Sequence, residues 1–543
     1  MRAAARLLHW FDQIIADLFR QMRWSFLPPL LIYFAYGTQA ITSVAGAFFV
    51  KEYLDLEAAF LAGLAFWAGL PWALKMPLGH LTDLIWRWKY LLILLGAALM
   101  AASYGIIASL LLMPEAMRAI APAASWYVLS ALLAPVGFVL QDVVADAMSV
   151  EAVPHLRPDG TAYSGNETRA MHTTMQTFGR IALIGGSSAA AALNVALFDG
   201  ADALPQAEKG ALYAEVYLLA LLVPILSLSG VALAMVQKRL RALRLRRAGT
   251  DPARIRSLLE IPRDETQVNW WYFIGGGAFL ALSLGAGLGD IPHSQEVVFV
   301  GSMTIILVLM RQLIKALTPE QARALIGTAI IIFAYRATPL NGAAATWFEI
   351  DALGFDQQFL SVLSLLTSLL TLAGMIVLRP MMANNTIVWI ILFLAATEAV
   401  LSLPNIGLYY GLHEWTAPLT GGLVDARFIA LVDTAVESPL GQVAMIPMLA
   451  WIARNAPSGL KATFFAVMAS FTNLALSASS LGTKYLNQIF VVTREVKDEA
   501  GLITTPADYS ALGMLLITVA LIKLAMPVLA VLVVQNSPLR SRD

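Results

Sequence analysis

Several acidic side chains of this sequence stand inside long apolar stretches, where a charge costs several kcal/mol unless it faces a cavity or a partner. Asp142 and Asp146 lie four residues apart, a spacing that places both carboxylates on one face of a helix. Two carboxylates on one buried face repel each other, so one of them is expected to bind a proton near neutral pH. A carboxyl of that kind can carry a proton across together with another solute.

Other ionisable residues occupy similar apolar surroundings. The candidate proton-coupling carboxylates are Asp142, Asp146, Glu151, Asp433 and Glu437. The cations in such stretches are candidates for binding an acidic substrate, because a guanidinium matches the geometry of a carboxylate with two parallel hydrogen bonds. These candidate substrate-binding cations are Lys75, Arg180 and Arg336. The alternative interpretation is that the charges pair with one another and only hold helices together.

The elements that position these residues must be membrane helices. Hydrophobic residues make up 59% of the 543 and charged residues 13%, against about a quarter charged in an average soluble domain. Cysteine is absent and the net charge is zero, so there is no thiol chemistry and no basic field for nucleic acid. No phosphate-binding loop is present. We expect an all-α polytopic membrane protein that is not an enzyme and that needs no cofactor or metal.

Fourteen apolar runs are long enough to cross a bilayer, which takes about 20 residues of helix. They predict an N-terminal six-helix half, two inserted helices and a C-terminal six-helix half, with an amphipathic helix before them. The predicted boundaries are 1–26 for the amphipathic helix, 27–236 for the first half, 237–268 for a basic linker, 269–317 for the inserted pair and 318–543 for the second half.

The basic residues predict the orientation of these spans. The connection 237–268 holds nine lysines and arginines, and other basic residues fall on the same side if the spans alternate. Loops on the cytoplasmic side of a membrane carry an excess of such residues. We therefore expect both termini to lie in the cytoplasm, with the protein in the inner membrane of the cell.

An internal repeat supports two six-helix copies. A shift of 299 residues places 34–36, Phe-Ala-Tyr, on 333–335, and it places Glu52 on Asp351. Asp433 and Glu437 repeat the spacing of Asp142 and Asp146. Two parallel six-helix halves are the plan of the major facilitator superfamily, in which substrate binds near the midplane between the halves.

The turn after the second span also resembles a loop signature of this superfamily, with a glycine, an aspartate four residues later and then basic residues. Trp86 stands where a second glycine is expected, which is a departure. Because this loop usually acts as a conformational latch, the resemblance implies a gating role for Gly79, Asp83, Arg87 and Lys89.

More specific motifs resemble the folate–biopterin transporter family. They are 71–75, Pro-Trp-Ala-Leu-Lys, followed by Gly79 and Asp83; 142–147, Asp-Val-Val-Ala-Asp-Ala; 337–355; and 457–466. Met76 stands where the family has a second proline, and Lys461 stands where it has an acidic residue. The matching motifs run over most of the chain in the family's order.

The resemblance implies a proton-coupled carrier of pterin or folate compounds that works by alternating access. Lys75, Asp142 and Asp146 match charged positions within the membrane in this family. Helices that line the cavity in the superfamily contain Tyr36, Tyr335 and Trp347, on which a flat ring can stack. The expected partners are a small-molecule substrate, protons and membrane lipid, without nucleic acid, and we expect a monomer.

Two alternatives remain at this stage. The run 141–147 is also similar to the muropeptide permeases of Gram-negative bacteria, which likewise have two extra helices between their halves. The third interpretation is a relative that does not transport and that handles pigments or assists the assembly of membrane complexes. A sealed midplane without titrating carboxylates would favour that relative.

Overall fold

Apolar stretches fold into helices here because a helix satisfies the hydrogen bonds of its own backbone, as a membrane requires. The computed structural model describes residues 20–54, 56–154, 156–157, 161, 163–252, 254–255, 268, 270–288, 291–315, 317–378, 381, 385–440, 461–497 and 503–540. Nearly all regular secondary structure in these ranges is helical, and one short antiparallel hairpin accompanies the helices.

The described residues of the first part of the chain form ten helices. They are α1 (Leu27–Thr38), α2 (Thr42–Tyr53), α3 (Ala58–Gly69), α4 (Lys75–Leu84), α5 (Tyr90–Leu112), α6 (Pro114–Ile120), α7 (Ala123–Ala152), α8 (Gly165–Leu197), α9 (Gln206–Ala220) and α10 (Leu222–Arg247). A short 3-10 turn, Leu70–Leu74, links α3 to α4.

The rest of the described chain adds ten helices and the hairpin. The helices are α11 (Trp270–Leu288), α12 (Ser294–Ile314), α13 (Pro319–Arg336), α14 (Ala343–Asp351), α15 (Gln357–Val377), α16 (Ile387–Tyr409), α17 (Leu412–Leu419), α18 (Ala426–Glu437), α19 (Lys461–Ile489) and α20 (Leu512–Gln535). Strands β1 (Val496–Lys497) and β2 (Ile503–Thr505) pair between α19 and α20, with a register irregularity after Val496.

The surface of the helices fits a lipid environment. In the described part of the chain, nine helical segments are long and apolar enough to cross a membrane. Helix α5 contains no charged residue, and it exposes Leu91, Leu94 and Leu95 over more than half of their surface. A soluble protein rarely exposes large contiguous apolar surfaces. The protein is therefore a multi-pass membrane protein, while the count of fourteen spans stays a prediction.

The repeat seen in the sequence has a counterpart in helix breaks. The first apolar run is divided between α1 and α2 by a 3-10 turn, Gln39–Ile41. The helix pair α13 and α14 is divided at residues 337–342. A shift of 299 residues places the first break within the second. The corresponding helices of the two copies are therefore broken at the same level.

Two pairs of helices hold the predicted halves side by side. Helix α8 packs along α15, and α19 packs along α3. The inserted helices α11 and α12 lie against the second of these pairs: Gln295 donates to the Gly63 carbonyl at 3.1 Å, and Lys484 Nζ lies 3.1 Å from Glu296 Oε1. The inserted pair thus contacts both halves at one side of the bundle.

Some predicted features lie outside the described residues. They include most of the amphipathic helix over 1–26, much of the basic linker, and the motif at 457–466 apart from the backbone that begins α19.

Candidate functional site

A three-residue ion cluster joins α4 to α7. Lys75 begins α4, and its ammonium lies 2.5 Å from Asp142 Oδ2 and 2.8 Å from Asp146 Oδ2. Asp142 and Asp146 are one helical turn apart on α7, so one ammonium reaches both carboxylates. The side chains of Lys75 and Asp142 are 25% and 12% exposed, whereas that of Asp146 is 43% exposed. Asp146 is therefore the more exposed carboxylate of the cluster.

Helix α1 completes this cluster with a phenol. The hydroxyl of Tyr33 donates to Asp146 Oδ1 at 2.6 Å, so both oxygens of Asp146 are engaged. Sequence reasoning missed Tyr33, because a tyrosine on an apolar helix gives no signal of which helix it faces. The neighbouring motif at 34–36 was visible, but the partner of Tyr33 was not.

Two arginines approach this region from opposite halves. Arg180 on α8 is close enough to interact electrostatically with Asp142 and with Arg336 of α13. Arg336 also donates from Nε to the Thr472 carbonyl at 3.2 Å. The two guanidinium groups therefore lie within electrostatic range of each other and belong to opposite halves. A guanidinium group matches the geometry of a carboxylate or phosphate.

One predicted gating residue, Lys89, and one predicted coupling residue, Glu151, form an ion pair at the C-terminal end of α7. Lys89 lies 2.6 Å from Glu151, and its ammonium lies 3.6 Å from the centre of the Trp86 ring. This ion pair ties the start of α5 to the end of α7 within one half. Gly79 lies in helix α4, and a Cβ there would meet no described atom within 4 Å. The side chains of Asp83 and Arg87 lie outside the described part.

The predicted carboxylates of the second half lie apart from the Lys75 cluster. Asp433 is 7% exposed and accepts a hydrogen bond from Asn405 at 2.9 Å. Glu437 interacts electrostatically with Lys523 of α20 and with Glu398 of α16. Among the described residues of the second half, no lysine bridges Asp433 and Glu437. The sequence repeat therefore does not reproduce the Lys75 cluster.

Tyr335 has a carboxylate partner of its own. Its hydroxyl donates to Glu398 Oε1 at 2.6 Å, which parallels the contact between Tyr33 and Asp146 in the first half. Glu398 is not among the site residues predicted from the sequence. Only the packing of α13 against α16 shows that it faces Tyr335.

An aromatic cavity lies within the N-terminal half. Its volume is about 270 Å³, and its walls are formed by Tyr36, Gln39, Thr42, Ala68, Trp72, Tyr104, Ala131, Ala134, Pro135 and Phe138. The Tyr36 ring meets Trp72 and Phe138 edge to face, at centroid distances of 5.8 and 5.5 Å. Tyr36 is also within electrostatic range of Asp142 and Lys75, so the cavity adjoins the ion cluster.

Trp347 has a different environment from the one predicted. It is 3% exposed and packs among Leu512, Leu515 and neighbouring side chains. The Arg494 guanidinium lies 5.1 Å from the centre of its ring. In this conformation Trp347 is therefore covered by a loop residue and does not line the described cavity.

The arrangement combines charges within the membrane with a fold of known transporters. The chain resembles an auto-inhibited peptide transporter of the POT family, with a TM-score of 0.55, 14% identity, and coverage of 95% of this chain and 97% of the other. It also resembles a structure of proton-dependent oligopeptide transporters, with a TM-score of 0.53, 16% identity, and coverage of 96% and 99%. These likenesses show the major facilitator fold, as the sequence predicted.

The family follows from the sequence comparison. The model of the BT1 family matches residues 36–542, and the chain belongs to this family of membrane transporters. A folate-biopterin transporter of Synechocystis sp. (strain ATCC 27184 / PCC 6803 / Kazusa) is 27% identical over 187 residues, 34% of this chain and 36% of that protein. A putative folate transporter 2 of Plasmodium berghei (strain Anka) is 28% identical over 167 residues, 30% and 34% of the two chains. The matches therefore span about a third of these relatives.

Proposed function

We propose that this protein is a secondary active transporter that carries a pterin- or folate-like organic anion by alternating access, coupled to protons. The observation that carries the proposal is the ion cluster of Lys75, Asp142 and Asp146 between membrane helices. Burying these charges is unfavourable for stability alone, so a functional role accounts better for them. The two relatives, a folate-biopterin transporter and a putative folate transporter, supply the substrate class.

Proton coupling is assigned to Asp146. It is the more exposed carboxylate of the cluster, it shares the Lys75 ammonium with Asp142, and it accepts from Tyr33. When Asp146 binds a proton, its attraction to Lys75 is lost and the ammonium is left to Asp142. Protonation thereby loosens the contact between α4 and α7, which gives a local link between proton binding and helix movement.

Substrate binding is assigned to the two arginines and the neighbouring aromatic cavity. Arg180 and Arg336 come from opposite halves, so an anionic group held between them contacts both halves at once. The cavity beside Tyr36 has aromatic walls and polar groups from Gln39 and Thr42, which suit the face and the edge of a flat heterocycle. The proposed substrate therefore has an acidic group and a planar ring.

The proposed orientation places the protein in the inner membrane with both termini in the cytoplasm. Helix α10 ends in Arg244, Arg246 and Arg247, which are followed by the rest of the basic connection. This excess of arginine is typical of a cytoplasmic loop. The end of the bundle where α2 meets α3, here called the outer end, then faces away from the cytoplasm.

The test is uptake into proteoliposomes of labelled folate, a reduced pterin and an anhydro-muropeptide, with and without an inward proton gradient. We expect gradient-driven accumulation of folate or the pterin, and we expect Asp146→Asn to abolish the dependence on the gradient. Asp425→Asn is the matched control, because Asp425 caps α18 through Phe428 N and asparagine keeps that bond.

Each other outcome of this assay contradicts a different part of the proposal. Accumulation of the muropeptide alone would reassign the substrate class. Uptake that is equal with and without the proton gradient would contradict proton coupling but would still identify a carrier. If none of the three compounds accumulates while the protein is folded, the proposed substrate class is wrong and the interpretation as a non-transporting relative gains support.

A further inference from the structure

An arginine from the second half is buried in the outer end of the first half. Arg494 follows α19 and is only 5% exposed. Its guanidinium donates to the carbonyls of Lys51 at 2.9 Å and Leu56 at 2.7 Å, and also to the carbonyl of Leu54. These carbonyls lie at and just beyond the end of α2, where a helix leaves acceptors without partners and where its dipole favours a cation.

The loop that carries Arg494 is anchored in its own half. Residues 490–497 and 503–511, here called the outer hairpin, contain β1 and β2 and a bridge between Thr493 and Asp508. The backbone N–H of Glu495 donates to Asp351 Oδ2 at 3.1 Å, and the hydroxyl of Tyr509 donates to the same oxygen at 2.5 Å. Asp351 ends α14, so the outer hairpin is fixed to the C-terminal half.

An ion pair between the halves lies beside this hairpin. Lys51 pairs with Asp351, and their side chains are only 8% and 10% exposed. Lys51 belongs to α2 and also offers its carbonyl to Arg494, so one residue of the first half meets two residues of the second. Since a shift of 299 residues places Glu52 on Asp351, this contact joins the corresponding ends of the two copies.

These bonds form a connected set. The Arg494 guanidinium contacts three carbonyls on one side and the Trp347 ring on the other, while Asp351 accepts from Lys51, Glu495 and Tyr509. Buried partners of this kind leave several unsatisfied groups when the set is broken, so the bonds are expected to break and form together. The ends of α2 and α14 cannot separate while the set is intact.

We propose that Arg494 is the residue that closes the outer end of the transporter, with the Lys51–Asp351 ion pair as the second part of the same lock. The outer hairpin must withdraw Arg494 from the end of α2 before the cavity opens to the outside. This role concerns access and does not depend on which substrate is carried or on proton coupling.

The test uses the absence of cysteine from the chain. Thr42→Cys places a single thiol in the wall of the cavity. The rate at which this thiol reacts with a membrane-impermeant maleimide is measured separately in right-side-out and inside-out sealed vesicles. With Arg494 intact we expect slow labelling from the outer side. Arg494→Ala is expected to raise the rate roughly tenfold or more, and Asp351→Asn to raise it in the same direction.

Arg427→Ala is the matched control. Arg427 also lies at the outer end and donates to the Gly354 carbonyl at 3.1 Å and to Asp356 at 2.7 Å, but all three residues belong to one half. Arg427→Ala is expected to leave the labelling rate of the Thr42→Cys thiol unchanged.

Thermal unfolding and elution profile verify that each variant is folded. Should Arg494→Ala fail to fold, Arg494→Lys keeps the charge, loses the fork of donors and is expected to give an intermediate rate. The proposal is overturned if a folded Arg494 variant labels at the parental rate. It is equally overturned if Arg427→Ala accelerates labelling as much as Arg494→Ala does, because general loosening would then explain both.

Discussion

Corresponding helix junctions in the two halves of this protein are held together by different interactions. In the N-terminal half, Lys75 joins its helix to α7 through two carboxylates. The repeat places Gly374 at the corresponding position of the C-terminal half. There the backbones meet directly, and a Cβ on Gly374 would lie 2.3 Å from the Pro439 carbonyl oxygen. One junction depends on charge, and the proposed proton coupling acts there, whereas the other depends on close backbone contact.

The repeat therefore preserves the arrangement of the helices, while the interactions at corresponding junctions differ. The junction of α4 with α7 is an ion cluster, and the corresponding junction is a steric contact.

Removing the lysine should have the largest effect. Lys75→Met removes the ammonium that both Asp142 and Asp146 contact, and breaking a buried ion pair costs on the order of 3 kcal/mol of stability. We expect uptake of the substrate found in the proteoliposome assay to fall roughly a hundredfold.

The double variant Lys75→Met with Asp142→Asn separates stability from transport. It should recover much of the thermal stability, because fewer uncompensated charges remain, while uptake stays low. If uptake returns along with stability, the cluster serves only to hold the helices together.

Gly374→Ala tests the steric junction. The added methyl group must push α15 away from Pro439, and overpacking of this kind costs about 1–3 kcal/mol. Thermal unfolding should reveal the loss, while uptake per folded molecule should stay within about twofold of the parent. Gly105→Ala is the control, because a Cβ there meets no described atom within 4 Å.

The paired phenols allow a matched comparison between the halves. Tyr33→Phe removes the bond to Asp146 and Tyr335→Phe removes the bond to Glu398, both 2.6 Å long. A hydrogen bond from Tyr33 favours the charged form of the carboxylate by about 1.5–3 kcal/mol, and one pH unit corresponds to about 1.4 kcal/mol. Tyr33→Phe should therefore move the pH of half-maximal uptake upward by about one to two units. Tyr335→Phe should leave that pH unchanged. Equal shifts in both variants would show that coupling is shared between the halves.

The smallest effect concerns two helix starts. Helix α8 begins with a capping box of Ser164 and Glu167, and α13 begins with one of Thr318 and Gln321. The Ser164 backbone N–H, the Ser164 side chain and the Arg157 guanidinium lower the pKa of Glu167 from 4.5 to about 2.

A lowered pKa in the folded state means that Glu167 stabilises the protein above about pH 4.5 and that this contribution is lost as the pH falls towards 2. Glu167→Gln should therefore flatten the pH dependence of thermal unfolding in this window. Gln321 carries no titrating group, so Gln321→Ala should lower the melting temperature equally at every pH. A pH profile that Glu167→Gln leaves unaltered would assign the acid sensitivity to other groups.

Particular residues show how far prediction from the sequence could reach. The spacing of Asp142 and Asp146 predicted a shared helix face, and Lys75 was recognised as a charge near the membrane interior. Their mutual contact was not predicted, because the rotation of α4 against α7 is set by packing between helices that are distant in the sequence. Tyr33, Glu398 and Arg494 were missed for the same reason.

Hydropathy and motif order are properties of local segments, so they were sufficient to predict the membrane-spanning class, the family and the repeated plan. They did not indicate which charges meet or which loop of one half contacts the other. The contacts of Lys75 with two carboxylates and of Arg494 with the opposite half appear only when the helices are packed. A buried charge selects its partner by distance and direction in space, and those depend on how all the helices pack together.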